Sequence, residues 1–274
     1  MLKAGHGSDG KWLGIILAAF LGVLARIAIG AADAKHQHAR NGVASALRAD
    51  VLKGVECDFF LYLRPFQLDL VMIENDPKTQ SPLMFARYTE PVMDFERLIA
   101  EAMIPIHPVL ALGRRGVNIG AARIETSDQL WFDEFTRLAK AAVGILMIPG
   151  MSEGCISELK WLKAEGWLEK VVFFQPSARE HRKLIKGFWT ALSPSLAKHG
   201  FRVPEYQKEG SIFTLADDGS ALVHGVPSPN DTYAFQTAIK KALPSNRRRE
   251  FPPLAPCLNT TSSNSTSVAT LPQD

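Results

Sequence analysis

Cysteine is scarce in this sequence, and the few cysteines lie far apart. Of 274 residues only Cys57, Cys155 and Cys257 are cysteines, and none of them forms a Cys-x-x-Cys pair. This distribution argues against a disulfide-stabilised fold and against a cysteine zinc site. The low number instead favours a reducing compartment.

An excess of charge of one sign is also missing. The chain has 31 Lys and Arg residues against 28 Asp and Glu residues, which leaves a net charge of +3. Such a balance argues against a nucleic-acid partner and against a polybasic membrane-binding surface. The seven histidines form no His-Glu-x-x-His motif. The sequence therefore predicts no metal ion and no resident cofactor.

Charge is nearly absent from one long stretch near the N-terminus. Between Trp12 and Ala32 the only charged residue is Arg26, and 17 of the 21 residues are apolar. As a helix this stretch would be roughly 31 Å long, about the thickness of the hydrocarbon core of a bilayer. We therefore predict an N-terminal tail at 1–11 and a transmembrane helix at 12–32, with the lipid bilayer as its partner.

The basic residues that flank this span predict its orientation. Two precede it and four follow it: Lys3 and Lys11, then Lys35, Arg40, Arg48 and Lys53. This bias predicts a single-pass protein of the inner (plasma) membrane with its C-terminal part in the cytoplasm. Two alternatives stay open. The stretch is also compatible with a signal peptide cleaved near Ala32-Asp33-Ala34, or with a buried helix of a soluble protein.

The rest of the chain divides into three parts by composition. A polar, basic connector at 33–54 precedes a mixed domain at 55–243, whose size suits a single core. From Pro244 the sequence becomes rich in Pro, Ser, Thr and Asn, and we predict a disordered tail at 244–274.

Within the domain, short apolar segments alternate with segments of helical periodicity. The apolar segments are 55–63, 108–113, 143–148 and 171–174, and Ser127 and Ser152 are predicted to cap two of the helices between them. Strands that are apolar throughout belong to a parallel sheet covered on both faces. A hairpin at 211–215 and 221–223 is predicted at the sheet edge, followed by a closing helix at 232–243.

Ligands of open parallel sheets bind at the carboxyl ends of the strands. Three loops lie there: Arg64 to Phe66, the loop 113–120 with Arg114, Arg115 and Gly116, and 149–153 with Ser152. Guanidinium groups and backbone amides of the second loop suit a phosphate, although its glycine spacing matches neither the P-loop nor the dinucleotide fingerprint. The alternative is a solvated surface loop.

Glu158 lies near the start of the helix that Ser152 is predicted to cap. An ionised carboxylate there can accept hydrogen bonds from ribose hydroxyls and stabilise an oxocarbenium-like transition state. The alternative is an ordinary surface glutamate, and no cation stands three or four residues after it. Cys155 in the same helix has no histidine nearby in sequence to act as a base, which favours a packed thiol.

Two segments together resemble a known family. Cys57-Asp58-Phe59-Phe60-Leu61-Tyr62-Leu63-Arg64 resembles the first conserved box of Toll/interleukin-1 receptor (TIR) domains, and Ser152-Glu153-Gly154-Cys155-Ile156-Ser157-Glu158-Leu159 resembles their Ser-x-Trp-Cys-x-x-Glu-Leu segment. With Gly120-Ala121-Ala122-Arg123, the chain is also similar to bacterial proteins that place one membrane helix before a TIR-like domain. The resemblance covers about residues 56–180. Gly154 stands where TIR domains have Trp, and Tyr62 stands where their first box has Ser.

The resemblance implies an α/β fold with an open, mainly parallel sheet of the flavodoxin-like or TIR-like kind, preceded by one transmembrane helix. It also implies that Glu158 is the catalytic residue of an NAD glycohydrolase, with NAD as substrate rather than cofactor. The remaining candidate ligand-binding residues are Arg64, Arg114 and Arg115 for the pyrophosphate, Phe66 as an apolar wall, and Gly116 and Ser152 in the loops.

Two functions follow from this resemblance. The first is a membrane-anchored cytoplasmic domain that binds a nucleotide and hydrolyses NAD at the nicotinamide–ribose bond. The second is a non-catalytic signalling or assembly module at the inner membrane, which forms homo-oligomers through TIR-like contacts.

Overall fold

The computed structural model describes residues 9–65, 95–113, 120–127, 129–177, 182–227 and 231–243. Within these residues the helices are α1 (Asp9–Leu52), α2 (Phe95–Met103), α3 (Trp131–Ala141), α4 (Glu153–Ala164), α5 (Arg182–Ala197) and α6 (Thr232–Ala242). The strands are β1 (Phe60–Leu63), β2 (Val109–Leu112), β3 (Ala122–Ile124), β4 (Gly144–Met147), β5 (Val171–Gln175), β6 (Ser211–Leu215) and β7 (Ala221–Gly225). Residues 1–8 of the predicted N-terminal tail and the whole predicted tail at 244–274 lie outside the described residues, whereas residues 9–11 belong to α1.

The strands form one seven-stranded sheet in the order β3-β2-β1-β4-β5-β6-β7. The first five strands in this order are parallel to one another, whereas β6 pairs antiparallel with both β5 and β7 at one edge. This arrangement confirms the predicted α/β fold with a mainly parallel sheet and the predicted hairpin at its edge. The three-residue strand β3 was not predicted, and it extends the sheet beyond β2.

Helices cover the sheet on both faces, as strands that are apolar throughout require. In β1, Leu61 and Leu63 face one layer, while Phe60 and Tyr62 face the other. The first layer contains core residues from α3, α4 and α5, and the second contains core residues from α2 and α6. All four β1 side chains are buried, so β1 lies at the centre of the domain.

Helix α1 is continuous from the predicted membrane span into the predicted connector. It contains a segment near the N-terminus that is long and apolar enough to cross a membrane, and apolar side chains such as Phe20 and Ile27 are exposed there. Further along, Gln37 and Ala44 are buried, and Arg48 forms an ion pair with Glu134 of α3. Most of the segment 33–54 is therefore helix that packs against the domain.

The two predicted helix caps differ in outcome. Ser152 precedes α4, and its side chain accepts a hydrogen bond from the backbone N–H of Cys155, as predicted. Ser127 does not cap α3, because that helix begins at Trp131 after Leu130, which makes no side-chain cap hydrogen bond. The prediction for Ser127 was thus wrong by about one helical turn.

Candidate functional site

The strand order creates a crevice between β1 and β4. From β1 the chain proceeds outward to β2 and β3 on one side, and it then returns to β4 on the other side of β1. The helix that precedes β2, α2, covers one face, and the helix that follows β4, α4, covers the opposite face. Open α/β sheets bind ligands at such a point, outside the carboxyl ends of the strands.

A close contact joins the two strand ends at this crevice. Gly150 follows β4, and a Cβ atom there would lie 2.6 Å from Cβ of Pro65 and 2.9 Å from Sγ of Cys155. No side chain fits in that space, so the backbone after β4 passes directly between the end of β1 and the first turn of α4. Pro65 and Cys155 therefore pack against the same residue, Gly150, from two sides.

Glu158 lies one turn after Cys155 and is buried, with 4% of its surface exposed. Burial raises the pKa of its carboxyl group to about 8. Among the described residues it has no hydrogen-bond or ion-pair partner. A buried carboxyl group without a cationic partner is costly to ionise, and such groups are enriched in functional sites. The position is not that of a surface glutamate.

Cys155 behaves as a packed thiol rather than a nucleophile. Burial, and secondarily the charge of Glu158, raise the pKa of this thiol to about 12. The two residues are three apart on α4 and therefore lie on the same side of that helix. A thiol with this pKa is almost entirely protonated near neutral pH, which agrees with the packed thiol predicted from the sequence.

Arg64 begins the other wall of the crevice, within a buried cluster of three charges. Its guanidinium lies 3.0 Å from Oε2 of Glu96 in α2. The same carboxylate accepts two hydrogen bonds from Arg123 of β3, at 2.9 and 2.8 Å. Glu96 is fully buried and the two arginine side chains are nearly so, which places all three charges inside the protein.

An aromatic ring lies against Gly154, in the first turn of α4. A Cβ atom on Gly154 would be 3.4 Å from Cη2 of Trp131, at the start of α3. Residues 154 and 158 are four apart on α4 and share a face of that helix. The indole of Trp131 is half-buried and stacks on Phe135, so its position is fixed by packing.

The structure brings together part of the predicted site. Glu158 and Ser152 lie on or next to α4, and Arg64 lies at the end of the adjoining strand β1. Phe66, Arg114, Arg115 and Gly116 fall outside the described residues, so their predicted roles stay predictions.

Two contributors to the site, Glu96 and Trp131, were missed. Glu96 is the acidic residue in the first turn of the amphipathic helix α2, and it is buried on the same side as the apolar residues of that helix, which is the signal that could have identified it. Gly154 could have indicated the contact with Trp131, because a residue without a side chain leaves room for a large neighbour.

The described part of the chain contains no group of three or more His, Cys, Asp or Glu side chains able to hold a metal ion. Comparison with models of protein families, with curated proteins and with solved structures found no match for this chain.

Proposed function

We propose that the protein is a membrane-anchored, TIR-like α/β domain that binds NAD at the crevice between β1 and β4 and hydrolyses its nicotinamide–ribose bond. The observation that carries this proposal is the buried carboxyl group of Glu158, with its raised pKa, at the switch point of the sheet. The two TIR-like segments support it further. One contains β1, and the other contains the cap and first turns of α4, so both border the same crevice.

The charge state of Glu158 favours a cationic ligand. At neutral pH the carboxyl group of Glu158 is mostly protonated, because its pKa is about 8. A positive charge brought close to the carboxyl group lowers its pKa and restores the carboxylate. The nicotinamide ring of NAD is a planar pyridinium cation, and an indole face such as that of Trp131 attracts such rings.

The reaction requires only this chain, NAD and water. The bond between ribose C1′ and the pyridinium nitrogen breaks, its electron pair stays on nicotinamide, and C1′ becomes an oxocarbenium-like centre. The carboxylate of Glu158 stabilises that developing positive charge. Water then adds to C1′, and the products are ADP-ribose, neutral nicotinamide and one proton.

The pyrophosphate of NAD is assigned to the arginine side of the crevice. Arg64 follows β1 and belongs to the cluster with Glu96 and Arg123, and its guanidinium is the proposed contact of the anion at the end of β1. Arg114, Arg115 and Gly116 are the further proposed contacts of the pyrophosphate, Ser152 is a proposed contact from the cap of α4, and Phe66 is the proposed apolar wall. The membrane span at 12–32 and the flanking basic residues support an inner-membrane location with the domain in the cytoplasm.

The test is nicotinamide release from NAD by the full chain in lipid nanodiscs. We expect Glu158→Gln to lower kcat by about 100-fold or more, because the substitution removes a charge that acts in the transition state. Glu153→Gln is the matched control, since Glu153 is an exposed carboxylate in the first turn of the same helix. Equal release by wild type and Glu158→Gln would exclude the catalytic role of Glu158.

The edge strand β7 favours the second function, assembly of several copies. It contains no Lys, Arg, Asp or Glu residue, and Leu222 and Val223 are exposed on it. An uncharged, apolar edge is suited to pair antiparallel with the same strand of a second copy. Under this alternative, Leu222→Lys or Arg115→Glu lowers the oligomeric fraction in crosslinking, and Glu158→Gln leaves it unchanged. If all three variants crosslink as the wild type does, assembly through β7 and the loop 113–120 is excluded.

A further inference from the structure

The second half of α1 occupies the edge of the sheet where a further strand would pair. Oε1 of Gln37 accepts a hydrogen bond from the backbone N–H of Gly120 at 2.9 Å, and Nε2 of Gln37 donates to the carbonyl oxygen of Ala121 at 3.0 Å. Oδ1 of Asn41 accepts from the backbone N–H of Arg123 at 2.9 Å. The two amide side chains thus replace the ladder hydrogen bonds of a neighbouring strand.

The backbone that α1 holds also binds the carboxylate of Glu96. Oε1 of Glu96 accepts a hydrogen bond from the backbone N–H of Ala121 at 3.1 Å, in addition to those from the side chain of Arg123. Residues 120–123 therefore contact α1 on one side and Glu96 on the other. Any displacement of this short segment changes the surroundings of a fully buried charge.

Glu96 extends the contact to the proposed site through its ion pair with Arg64. A continuous path leads from Gln37 through Ala121 and Glu96 to the end of β1. Gln37 and Glu96 are both more than nine-tenths buried. Hydrogen bonds and charges in such surroundings are costly to break singly, so the groups move together or stay in place.

We infer that Gln37 and Asn41 are positioning residues, through which α1 holds the Arg64–Glu96–Arg123 cluster in the geometry that binds the ligand's anionic group. The helix is continuous and has no proline between Asp9 and Leu52, so the same element carries the proposed membrane span. The bilayer anchor and the anion side of the crevice are accordingly parts of one connected structure. That the cluster binds an anionic group of the ligand rests on the proposed function.

The first arm of the test measures amide hydrogen exchange in the full chain in lipid nanodiscs. Gln37→Ala should speed exchange by about fivefold in peptides from the start of α2 and the end of β1, the effect of losing roughly one hydrogen bond. The matched control is Arg48→Ala, which removes a polar contact of α1 away from β3, its ion pair with Glu134. The same exchange at the start of α2 in Gln37→Ala and in wild type would overturn the inference.

The second arm measures NAD turnover and separates positioning from general destabilisation. Gln37→Ala should raise KM by about fivefold while kcat stays within twofold, since Glu158 is untouched. Arg48→Ala should leave KM unchanged. A KM that is unchanged in Gln37→Ala contradicts the positioning role. If the wild type releases no nicotinamide, the proposed function fails, whereas the exchange arm still decides whether α1 holds the cluster.

Discussion

Glu96 and Gly120 are packed so closely that residue 120 has no room for a side chain. A Cβ atom on Gly120 would lie 2.6 Å from Oε1 and 2.8 Å from Cγ of Glu96. Because Glu96 is itself held by Arg64, Arg123 and the backbone of Ala121, it has no free direction in which to withdraw. The glycine is therefore required by the charge cluster.

Gly120→Ala is expected to lower the free energy of unfolding by about 1–3 kcal/mol, as other overpacked substitutions do. Gly42→Ala is the matched control, because Gly42 lies in α1 with nothing within 4 Å of an added Cβ. That substitution should be neutral or stabilise the protein by up to about 1 kcal/mol. Urea unfolding of both variants gives the comparison, and equal midpoints would contradict the predicted contact.

The raised pKa of Glu158 predicts that stability falls as the pH rises. The folded state keeps the proton up to a pKa of about 8, whereas the unfolded state loses it near the ordinary value of 4.5. The folded state therefore binds more protons between these values, and its advantage is lost as the pH rises through 8. The contribution is about 3–6 kcal/mol between pH 4.5 and pH 9.

Glu158→Gln isolates this contribution because glutamine has the same shape and no titration. Thermal unfolding at pH 6 and pH 9 should show a smaller loss of Tm in the variant than in the wild type. The same group predicts that kcat/KM for NAD rises with pH and levels off above about 8, since the ionised carboxylate is the active form. Parallel pH profiles of Tm in the two proteins would contradict the assigned burial.

Truncation tests whether the second half of α1 belongs to the domain. A fragment at 33–243 keeps the contacts of Gln37, Asn41 and Arg48, whereas a fragment at 53–243 loses all of them. In the fragment at 53–243, the edge of β3 lacks the hydrogen bonds from α1. Glu134 also loses the hydrogen bonds from Arg48, which are the strongest cause of its lowered pKa.

We expect the shorter fragment to be less stable by more than about 3 kcal/mol and to aggregate through the open edge. Urea unfolding and size-exclusion chromatography are the measurements. Equal stability of the two fragments would mean that residues 33–52 are a linker after all.

The sequence allowed prediction of the strands that are apolar throughout, because burial on both faces leaves a recognisable pattern. It did not reveal β3, whose residues Ala122, Arg123 and Ile124 include a charge that Glu96 neutralises from another element. The docking of α1 was hidden for a similar reason, since polar side chains such as Gln37 pair with backbone 83 residues away. Glu158 was identified by motif, but its burial depends on how α4 packs in the fold.

The contact between Gly154 and Trp131 predicts how the aromatic side of the crevice responds to substitution. A Cβ at residue 154 meets Cη2 of Trp131 at 3.4 Å, which is ordinary van der Waals contact, so Gly154→Ala should keep NAD turnover within about twofold. Gly154→Leu extends into the space of the indole and must displace it.

If Trp131 binds the nicotinamide ring, Gly154→Leu and Trp131→Ala should both raise KM for NAD, by about fivefold to thirtyfold, the range of a lost cation–π contact. Thermal unfolding of each variant separates this effect from loss of the fold. Trp189→Phe is the control, because Trp189 is a buried core residue of α5. Its indole N–H donates a hydrogen bond to the carbonyl oxygen of Pro204. If Trp131 contacts the nicotinamide ring, its removal must weaken NAD binding. An unchanged KM in a folded Trp131→Ala protein would therefore mean that the indole has only a structural role.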